Sequence, residues 1–212
     1  LTGLQVYCNT KFGFSADETL KIAQKLYEQK VITYPRVDTT FLPNDVYPKV
    51  SGILQKLTNY AKLIEPILRK KIKKSSKVFN DKKVTDHHAL IPTGMQSSLS
   101  QSHQQVYDII TKRFIAVFYD DCMVANTVVI GNVDTVPFKT TGKEILEKGW
   151  KVVFEKTEDK DKKEKDLLPA FKKGEKGPHE PSFLEKETKP PNQYTEATLL
   201  RGMETAGKQV DD

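Results

Sequence analysis

Hydrophobic positions recur at helical spacing in three stretches of the first 120 residues. The first stretch runs from Ser15 to Gln29, and Ser15 or Asp17 can cap it. The second opens at Pro43-Asn44-Asp45, and because Pro66 interrupts its continuation, two helices in sequence are predicted there. The third spans about Leu99 to Phe118. Its predicted apolar face consists of Val106, Ile109, Ile110, Phe114 and Val117.

After Asp120-Asp121 the pattern changes from that of a helix to that of strands. The runs Val124–Val136, Lys139–Thr141 and Trp150–Glu155 are rich in β-branched residues and are punctuated by glycine. They predict antiparallel strands. Residues 158–166 are almost purely charged, which is typical of a solvated hairpin tip or a disordered loop.

Four prolines between residues 178 and 191 mark turns and a connector, and helix resumes at Thr195 and ends at Gly207. The predicted fold class is therefore α+β. Residues 1–120 form a mainly helical domain, residues 121–190 a β-rich segment, and residues 191–212 the start of a following helical domain. The opening residues Leu1–Gln5 lack an initiator Met, which predicts an excised fragment.

Composition narrows the class of partner. Lys and Arg exceed Asp and Glu by 34 to 28, for a net charge of +6. This excess favours a polyanionic partner without establishing one. No apolar run approaches the length that crosses a bilayer, so a membrane span is not expected. Cys8 and Cys122 match no metal or redox spacing, and two reduced thiols are predicted.

The segment Thr33–Asp38 is the most informative part of the chain for chemistry. Pro35 biases Tyr34 toward an extended conformation. In an extended segment Tyr34, Arg36 and Asp38 share one face. The phenol can attack phosphorus, and the guanidinium can hold non-bridging oxygens in a bidentate fork. Asp38 can orient Arg36. By itself the hexapeptide is weak evidence for catalysis, because a Tyr beside Pro is more often an aromatic residue packed in a loop.

Three longer motifs favour the catalytic interpretation of Tyr34. Ala23–Glu28 followed by Val31–Thr39 resembles the signature A-Q-x-L-Y-E and I-T-Y-x-R-T-D-S of type IA DNA topoisomerases, with Val37 and Thr39 in place of the usual Thr and Ser. Residues 85–93, Thr-Asp-His-His-Ala-Leu-Ile-Pro-Thr, resemble D-H-H-A-I-I-P-T, the form typical of the topoisomerase III branch. Residues 189–207 resemble the segment that re-enters the main body of that family. Together the matches cover nearly the whole chain.

The resemblance implies roles for individual residues. Tyr34 is the nucleophile that forms a 5′-phosphotyrosyl link to single-stranded DNA and releases a 3′-hydroxyl. Arg36 contacts the scissile phosphate, and His87 matches the active-site histidine of the family. His88 occupies the neighbouring position, and it and Asp38 are expected in supporting roles. No metal ligand set is predicted in this chain, because adjacent histidines rarely point at one ion.

The resemblance also implies parts supplied elsewhere. Mg²⁺ in the parent enzyme is bound by a Toprim domain that this chain lacks, so no cofactor is expected here. A downstream DNA-holding stretch is also expected outside it. The β part corresponds to half of the arch that opens the gate. The implied protein is a bacterial, cytoplasmic, nucleoid-associated and ATP-independent topoisomerase. Its expected partners are single-stranded DNA and the remaining domains of the same polypeptide.

Alternatives remain at the level of sequence. The basic loop that follows Pro66 can run along a DNA backbone or can simply be solvated; its candidate contacts are Arg69, Lys70, Lys71, Lys73 and Lys74. A non-catalytic single-stranded DNA-binding module of the same fold is the main functional rival. A tyrosine recombinase is disfavoured because the surroundings of His87 lack the required arginines. A protein-interaction scaffold would make all three motif matches accidental.

Overall fold

The computed structural model describes residues 1–154, 168–178 and 180–206. Within these ranges the chain forms α-helices, short 3₁₀ helices and one two-stranded antiparallel sheet, which confirms the α+β class. The α-helices are α1 (Thr2–Phe12), α2 (Ala16–Glu28), α3 (Tyr47–Lys56), α4 (Ala61–Leu68), α5 (Gln101–Ala116) and α6 (Glu196–Glu204). The strands are β1 (Met123–Val133) and β2 (Val136–Glu147).

The chain divides into two compact units. Residues 1–119 and the segment from Gln193 form one unit, and residues 120–192 form the other. In the first unit, α2 packs against α5, and α3 packs against α4. Each fully buried aliphatic side chain contributes about 1.5–3 kcal/mol to folding. The side chains with no exposed surface include Leu26, Val50, Leu54, Val106 and Ile115.

Helices α2 and α5 confirm the predicted helices at those positions. The Ser15 side chain accepts a hydrogen bond from the backbone N–H of Glu18, as expected of an N-cap. On α5 the predicted apolar face is buried except at its end, because Val117 lies beyond the last helical residue and is 45% exposed.

The second helical stretch divides at a different residue from the predicted one. Two helices are present, but the break falls at Leu57, and Pro66 lies inside α4. A proline at this position removes one hydrogen bond to the carbonyl of Lys62. Both residues are exposed, so water can solvate that carbonyl, while Ile64 and Ile67 bury the opposite face.

Helix α1 has no counterpart among the predicted elements. It lacks an amphipathic stripe, since only Cys8 is buried along it, and periodicity therefore gave no signal. Burial raises the pKa of the Cys8 thiol to about 11. Both cysteines are free, which agrees with the prediction of two reduced thiols.

Helix α6 packs against α1 inside the first unit. The backbone N–H of Ala197 donates to the side-chain oxygen of Asn9 (3.3 Å), and a carboxylate oxygen of Glu196 accepts from the N–H of Ala16 (2.9 Å). The predicted start at Thr195 is confirmed by its capping box. The predicted domain boundaries stay a prediction.

In the second unit, β1 and β2 form a hairpin whose turn was missed by the sequence prediction. The turn lies at Asp134-Thr135, inside the single strand predicted for residues 124–136. Asp134 has φ +52°, the left-handed conformation that two-residue hairpin turns require and that Asp tolerates.

The predicted strand Trp150–Glu155 is wrong for its described part. Gly149–Phe154 is a 3₁₀ helix, and Glu155 lies outside the described residues. The left-handed Gly149 turns the chain, the N–H of Trp150 donates to the carbonyl of Asp120 (2.9 Å), and the Trp150 ring packs edge-on against Phe154. This hydrogen bond and this ring contact take the place of strand pairing.

Gly149 allows a specific test of this turn. With φ +48°, a Cβ at this position would lie 2.4 Å from the carbonyl oxygen of Asp120. We expect Gly149→Ala to lower the free energy of unfolding of this unit by at least about 1–3 kcal/mol. Gly131→Ala in β1, where a Cβ meets nothing within 4 Å, should change it by less than about 1 kcal/mol. Equal effects in urea titrations would contradict the assignment.

Among the described residues no helix combines the length and apolar character needed to cross a bilayer. The charged run at 158–166 and the predicted helix end at Gly207 lie outside the described residues.

Candidate active site

The end of α2 directs the chain into the Tyr34 segment. The N–H of Lys30 donates to the carbonyl of Tyr27 (2.8 Å), and that of Val31 donates to Leu26 (3.1 Å). Together these two bonds form a Schellman motif, whose left-handed position usually holds glycine. Here Lys30 occupies it with φ +62°. The strained residue turns the chain sharply, so that Val31 leaves the helix at once.

Backbone pairing joins the Tyr34 segment to the histidine motif. Ile32 and Pro92 form an antiparallel bridge. On either side of it the N–H of Thr33 donates to the carbonyl of Ile91 (2.9 Å), and the N–H of Thr93 donates to that of Val31 (3.0 Å). Ile32 is 1% exposed, so the pairing lies in the core. The two motifs are thereby held as one structural element.

This pairing gives a stability prediction. The Thr33 hydroxyl also accepts a hydrogen bond from the N–H of Ile91 (3.0 Å). Thr33→Val should lower the free energy of unfolding by about 1 kcal/mol, because that bond is lost while the β-branched shape is kept. Thr33→Ser keeps the hydroxyl and should retain the protection of the Ile91 amide from hydrogen exchange. Equal loss of protection in both variants would contradict this role.

The Tyr34 ring lies between two other rings. Its centroid is 4.6 Å from that of His87 and 5.4 Å from that of Tyr27, which meets it edge-on. The side chain is half-buried. Among the described residues its hydroxyl has no hydrogen-bond partner, so the ring is held in place while the oxygen stays available. Tyr27 recurs at helical spacing in the first predicted helix, but its contact with Tyr34 was not predicted, although the family motif contains both residues.

Burial alternates along the residues that follow. Pro35 and Val37 are buried, and Arg36 and Asp38 are exposed, as the extended conformation predicts. The N–H of Val37 donates to the carbonyl of Pro35 (3.0 Å), which adds a tight turn at Arg36.

Arg36 and His87 open into a common cleft of about 540 Å³. Asp38 and Asp86 also line it. The expected pairing of Asp38 with Arg36 is absent, since no ion pair joins these two described residues. Instead the Thr85 hydroxyl lies 3.5 Å from the Asp38 carboxylate, which is too long for a strong hydrogen bond. The exposed guanidinium is therefore open to an anion in the cleft. Asp86 is a cleft residue that the sequence reasoning missed, although it lies within the matched motif.

His88 differs from its neighbour in its contacts. Its Nδ1 lies 2.8 Å from the carbonyl oxygen of Ala89, a group that can only accept, so this nitrogen carries the proton. The ring is half-buried, whereas that of His87 is exposed. This bond orients the backbone of the histidine loop, and the ring contact with Tyr34 is made by His87.

Among the described residues, no three His, Cys, Asp or Glu side chains lie close enough together to hold a metal ion. Mg²⁺ favours carboxylates in octahedral geometry. The cleft offers only the exposed pair Asp38 and Asp86, and an acidic pair alone does not define a site. The binding of Mg²⁺ by a domain outside this chain stays a prediction.

The loop after α4 is basic and irregular, as predicted. It carries Arg69, Lys70, Lys71, Lys73 and Lys74. Arg69 pairs with Glu65 across one helical turn (2.6 Å), and the ammonium of Lys74 lies 5.7 Å from the centroid of the Tyr47 ring.

Tyr34 packs between two rings and lies beside a cleft that Arg36 and His87 line. This site and the three sequence motifs together indicate the family of the protein. A statistical model of the DNA topoisomerase family matches residues 1–207. The chain therefore belongs to the DNA topoisomerase family, and the resemblance to the bacterial type IA topoisomerase III branch is confirmed.

Several known proteins are similar to this chain in sequence or in structure. DNA topoisomerase 3 of Bacillus subtilis strain 168 is 40% identical over 96% of this chain, and that of Bacillus thuringiensis strain Al Hakam is 38% identical over 100%. The chain spans 29% and 30% of the length of these two proteins. The structure of full-length topoisomerase I from Thermotoga maritima covers 97% of this chain and is covered to 34%, with a TM-score of 0.61 and 23% identity. This last likeness supports the fold alone.

Proposed function

We propose that this chain carries the DNA-cleaving tyrosine of an ATP-independent type IA topoisomerase. The parent protein cleaves one DNA strand through a 5′-phosphotyrosyl intermediate, passes a strand through the break and reseals it. The single observation that carries the proposal is the contact between the Tyr34 and His87 rings, with a centroid distance of 4.6 Å. It unites two family motifs at one exposed cleft.

Tyr34 is the proposed nucleophile. Its oxygen forms a bond to the phosphorus of a phosphodiester, and the bond from phosphorus to the 3′ oxygen breaks. The phenol loses its proton, and the leaving 3′ oxygen gains one. The covalent link conserves the energy of the broken bond, so the reverse attack by the 3′-hydroxyl reseals the strand without ATP.

Arg36 is the proposed anchor for the scissile phosphate. Its exposed guanidinium faces the cleft and has no ion-pair partner on the described stretches. A bidentate hold on two non-bridging oxygens would position the phosphorus and offset charge that grows in the transition state.

His87 and Asp38 complete the proposed cleft. The ring of His87 holds that of Tyr34 in place and presents its nitrogens to the same phosphate region. Asp38, two residues after Arg36, and Thr85, two residues before His87, also line the cleft. His88 supports this arrangement through its bond to the backbone.

The remaining parts of the reaction belong to the rest of the parent polypeptide. We assign Mg²⁺ binding and acid–base chemistry to a Toprim domain, and the movement that opens the gate to the arch. The fact that the chain spans only about 30% of its relatives leaves room for these domains. A cytoplasmic location with nucleoid association is part of the proposal.

The experiment follows from this division. The purified chain, incubated with Mg²⁺ and supercoiled DNA, should leave the plasmid supercoiled, whereas the parent protein should relax it. Gel electrophoresis separates the topoisomers. Relaxation by the chain alone would contradict the assignment of essential groups to other domains.

The second candidate is a non-catalytic single-stranded DNA-binding module of the same fold. The observation in its favour is the basic loop at residues 69–74, which offers contacts to a phosphate backbone without any nucleophile. A module of this kind would bind DNA in the parent protein and never form a covalent adduct.

A further inference from the structure

The positive charge of the chain is concentrated in one segment. Residues 69–83 contain eight lysine or arginine residues and one aspartate, so this stretch carries a net charge of +7. The net charge of the whole chain is +6. The rest of the molecule is therefore close to neutral, and a polyanion would be attracted chiefly to this basic segment.

The basic segment is held in a defined path. The Tyr47 hydroxyl donates to the carbonyl of Ile72 (2.6 Å), and backbone hydrogen bonds join Leu42 to Val78 (2.8 Å) and to Asn80 (2.9 Å). Both carboxylate oxygens of Asp81 accept from Asn44, and these bonds lower the pKa of that carboxyl. The charges thus stand on a fixed backbone, which reduces the entropic cost of binding.

The segment leads directly into the candidate active site. The Thr39 hydroxyl donates to the carbonyl of Lys83 (2.6 Å), which joins the end of the basic segment to the Tyr34 loop. His87 is the fourth residue after Lys83, so their Cα atoms are at most about 14 Å apart. Nucleotides rise about 3.4 Å each along a DNA strand, and about four of them cover this distance.

An aromatic ring accompanies the charge at this end. The ammonium of Lys83 lies 4.6 Å from the centroid of the Phe41 ring, and Phe41 is only half-buried. Proteins that bind single strands combine cations along the backbone with aromatic rings on which bases stack. Lys83 and Phe41 supply one group of each kind.

We infer that residues 69–83 and Phe41 form a track for single-stranded DNA, which guides the strand to or from the cleft at Arg36 and His87. The inference rests on the proposed function and adds the path of the strand outside the cleft. Lys82 and Lys83 contact the phosphates nearest the cleft, and Lys70 and Lys71 contact phosphates farther along. Phe41 stacks on a base beside Lys83.

The test is a salt titration of binding by the full chain. A fluorescent single-stranded oligonucleotide is titrated by anisotropy at several salt concentrations. The variants are Lys70→Gln with Lys71→Gln, and Lys82→Gln with Lys83→Gln. Each should reduce the slope of log K against log salt by about 1.4, since each lost contact to a single strand contributes about 0.7. The control, Lys139→Gln with Lys143→Gln on β2, removes the same charge from exposed positions and should leave the slope unchanged.

Phe41→Leu separates a single-strand track from general attraction of polyanions. This variant keeps apolar volume but removes the stacking surface, so it should weaken single-strand binding several-fold and leave duplex binding unchanged. A thermal melt of each variant confirms folding.

Slopes that match the β2 control would overturn the inference, as would an equal effect of Phe41→Leu on duplex. These outcomes are distinct from failure of the proposed chemistry. If the track variants lose slope while the parent protein forms no covalent adduct at Tyr34, the binding surface stands and the cleavage assignment fails.

Discussion

Tyr34→Phe in the parent protein should abolish DNA relaxation and the covalent protein–DNA adduct, with residual activity at background. The substitution removes only the attacking oxygen. The ring contacts with Tyr27 and His87 remain possible, because they use the aromatic faces and edges. Single-strand binding should therefore stay within about twofold of the unmodified protein, since no backbone or basic contact changes.

Tyr27→Phe is the matched control for this experiment. Tyr27 lies against Tyr34 and is 39% exposed. Its substitution by Phe also removes only a hydroxyl. Its variant should relax DNA at nearly the normal rate. Persistent relaxation by Tyr34→Phe, or equal loss in both variants, would contradict the assignment of the nucleophile.

Arg36→Ala should slow single-turnover cleavage by about 10²–10³-fold, because one preorganised charge at the reacting phosphate is lost. Arg36→Lys should recover only part of the rate, since an ammonium cannot form the bidentate fork. The comparison of the two variants separates geometry from charge.

Arg113→Ala is the control for charge removal. Arg113 is an exposed arginine on α5 in the same unit, outside the cleft residues. Its variant should cleave at the normal rate. Full activity of Arg36→Lys would show that a point charge is sufficient, and full activity of Arg36→Ala would exclude Arg36 from the phosphate site.

The sequence predicted those elements whose formation depends on residues close together in the chain. Ser15 has a capping side chain and α2 has an apolar stripe, so this helix could be placed within a residue. Helix α1 lacks such a stripe, and the element it packs against most is α6, which lies at the other end of the sequence. Its formation depends on tertiary contacts that periodicity does not report.

The second unit shows how single residues override propensity. Asp134 turns the hairpin within a run of β-branched residues, and Gly149 prevents Trp150 from continuing as a strand. Both are left-handed positions; the sequence prediction treated Gly149 only as a break before a further strand and did not place a turn at Asp134. An Asp within an alternating run and a Gly before an aromatic residue are the available signals.

The sequence motifs named the residues of the candidate site, whose roles stay proposals, but they did not predict all of the contacts between them. The convergence of Tyr34 and His87 followed from the family resemblance, since no local pattern pairs residues 31–33 with residues 91–93. The expected orientation of Arg36 by Asp38 is absent from the structure. A tight turn at Arg36 means that Arg36 and Asp38 do not follow the geometry of a regular strand. Thr85 approaches the Asp38 carboxylate instead.

The most direct test of the central claim is to identify the residue that becomes linked to DNA. The parent protein is incubated with Mg²⁺ and an oligonucleotide labelled at its 3′ end, denatured, and digested with nuclease and trypsin. Mass spectrometry should find a phosphonucleotide on the tryptic peptide Val31–Arg36, attached through Tyr34. Before nuclease digestion, the 3′ label should remain with the denatured protein, as a 5′-phosphotyrosyl link requires. An adduct on another residue, or a label released with the free strand, would contradict the account.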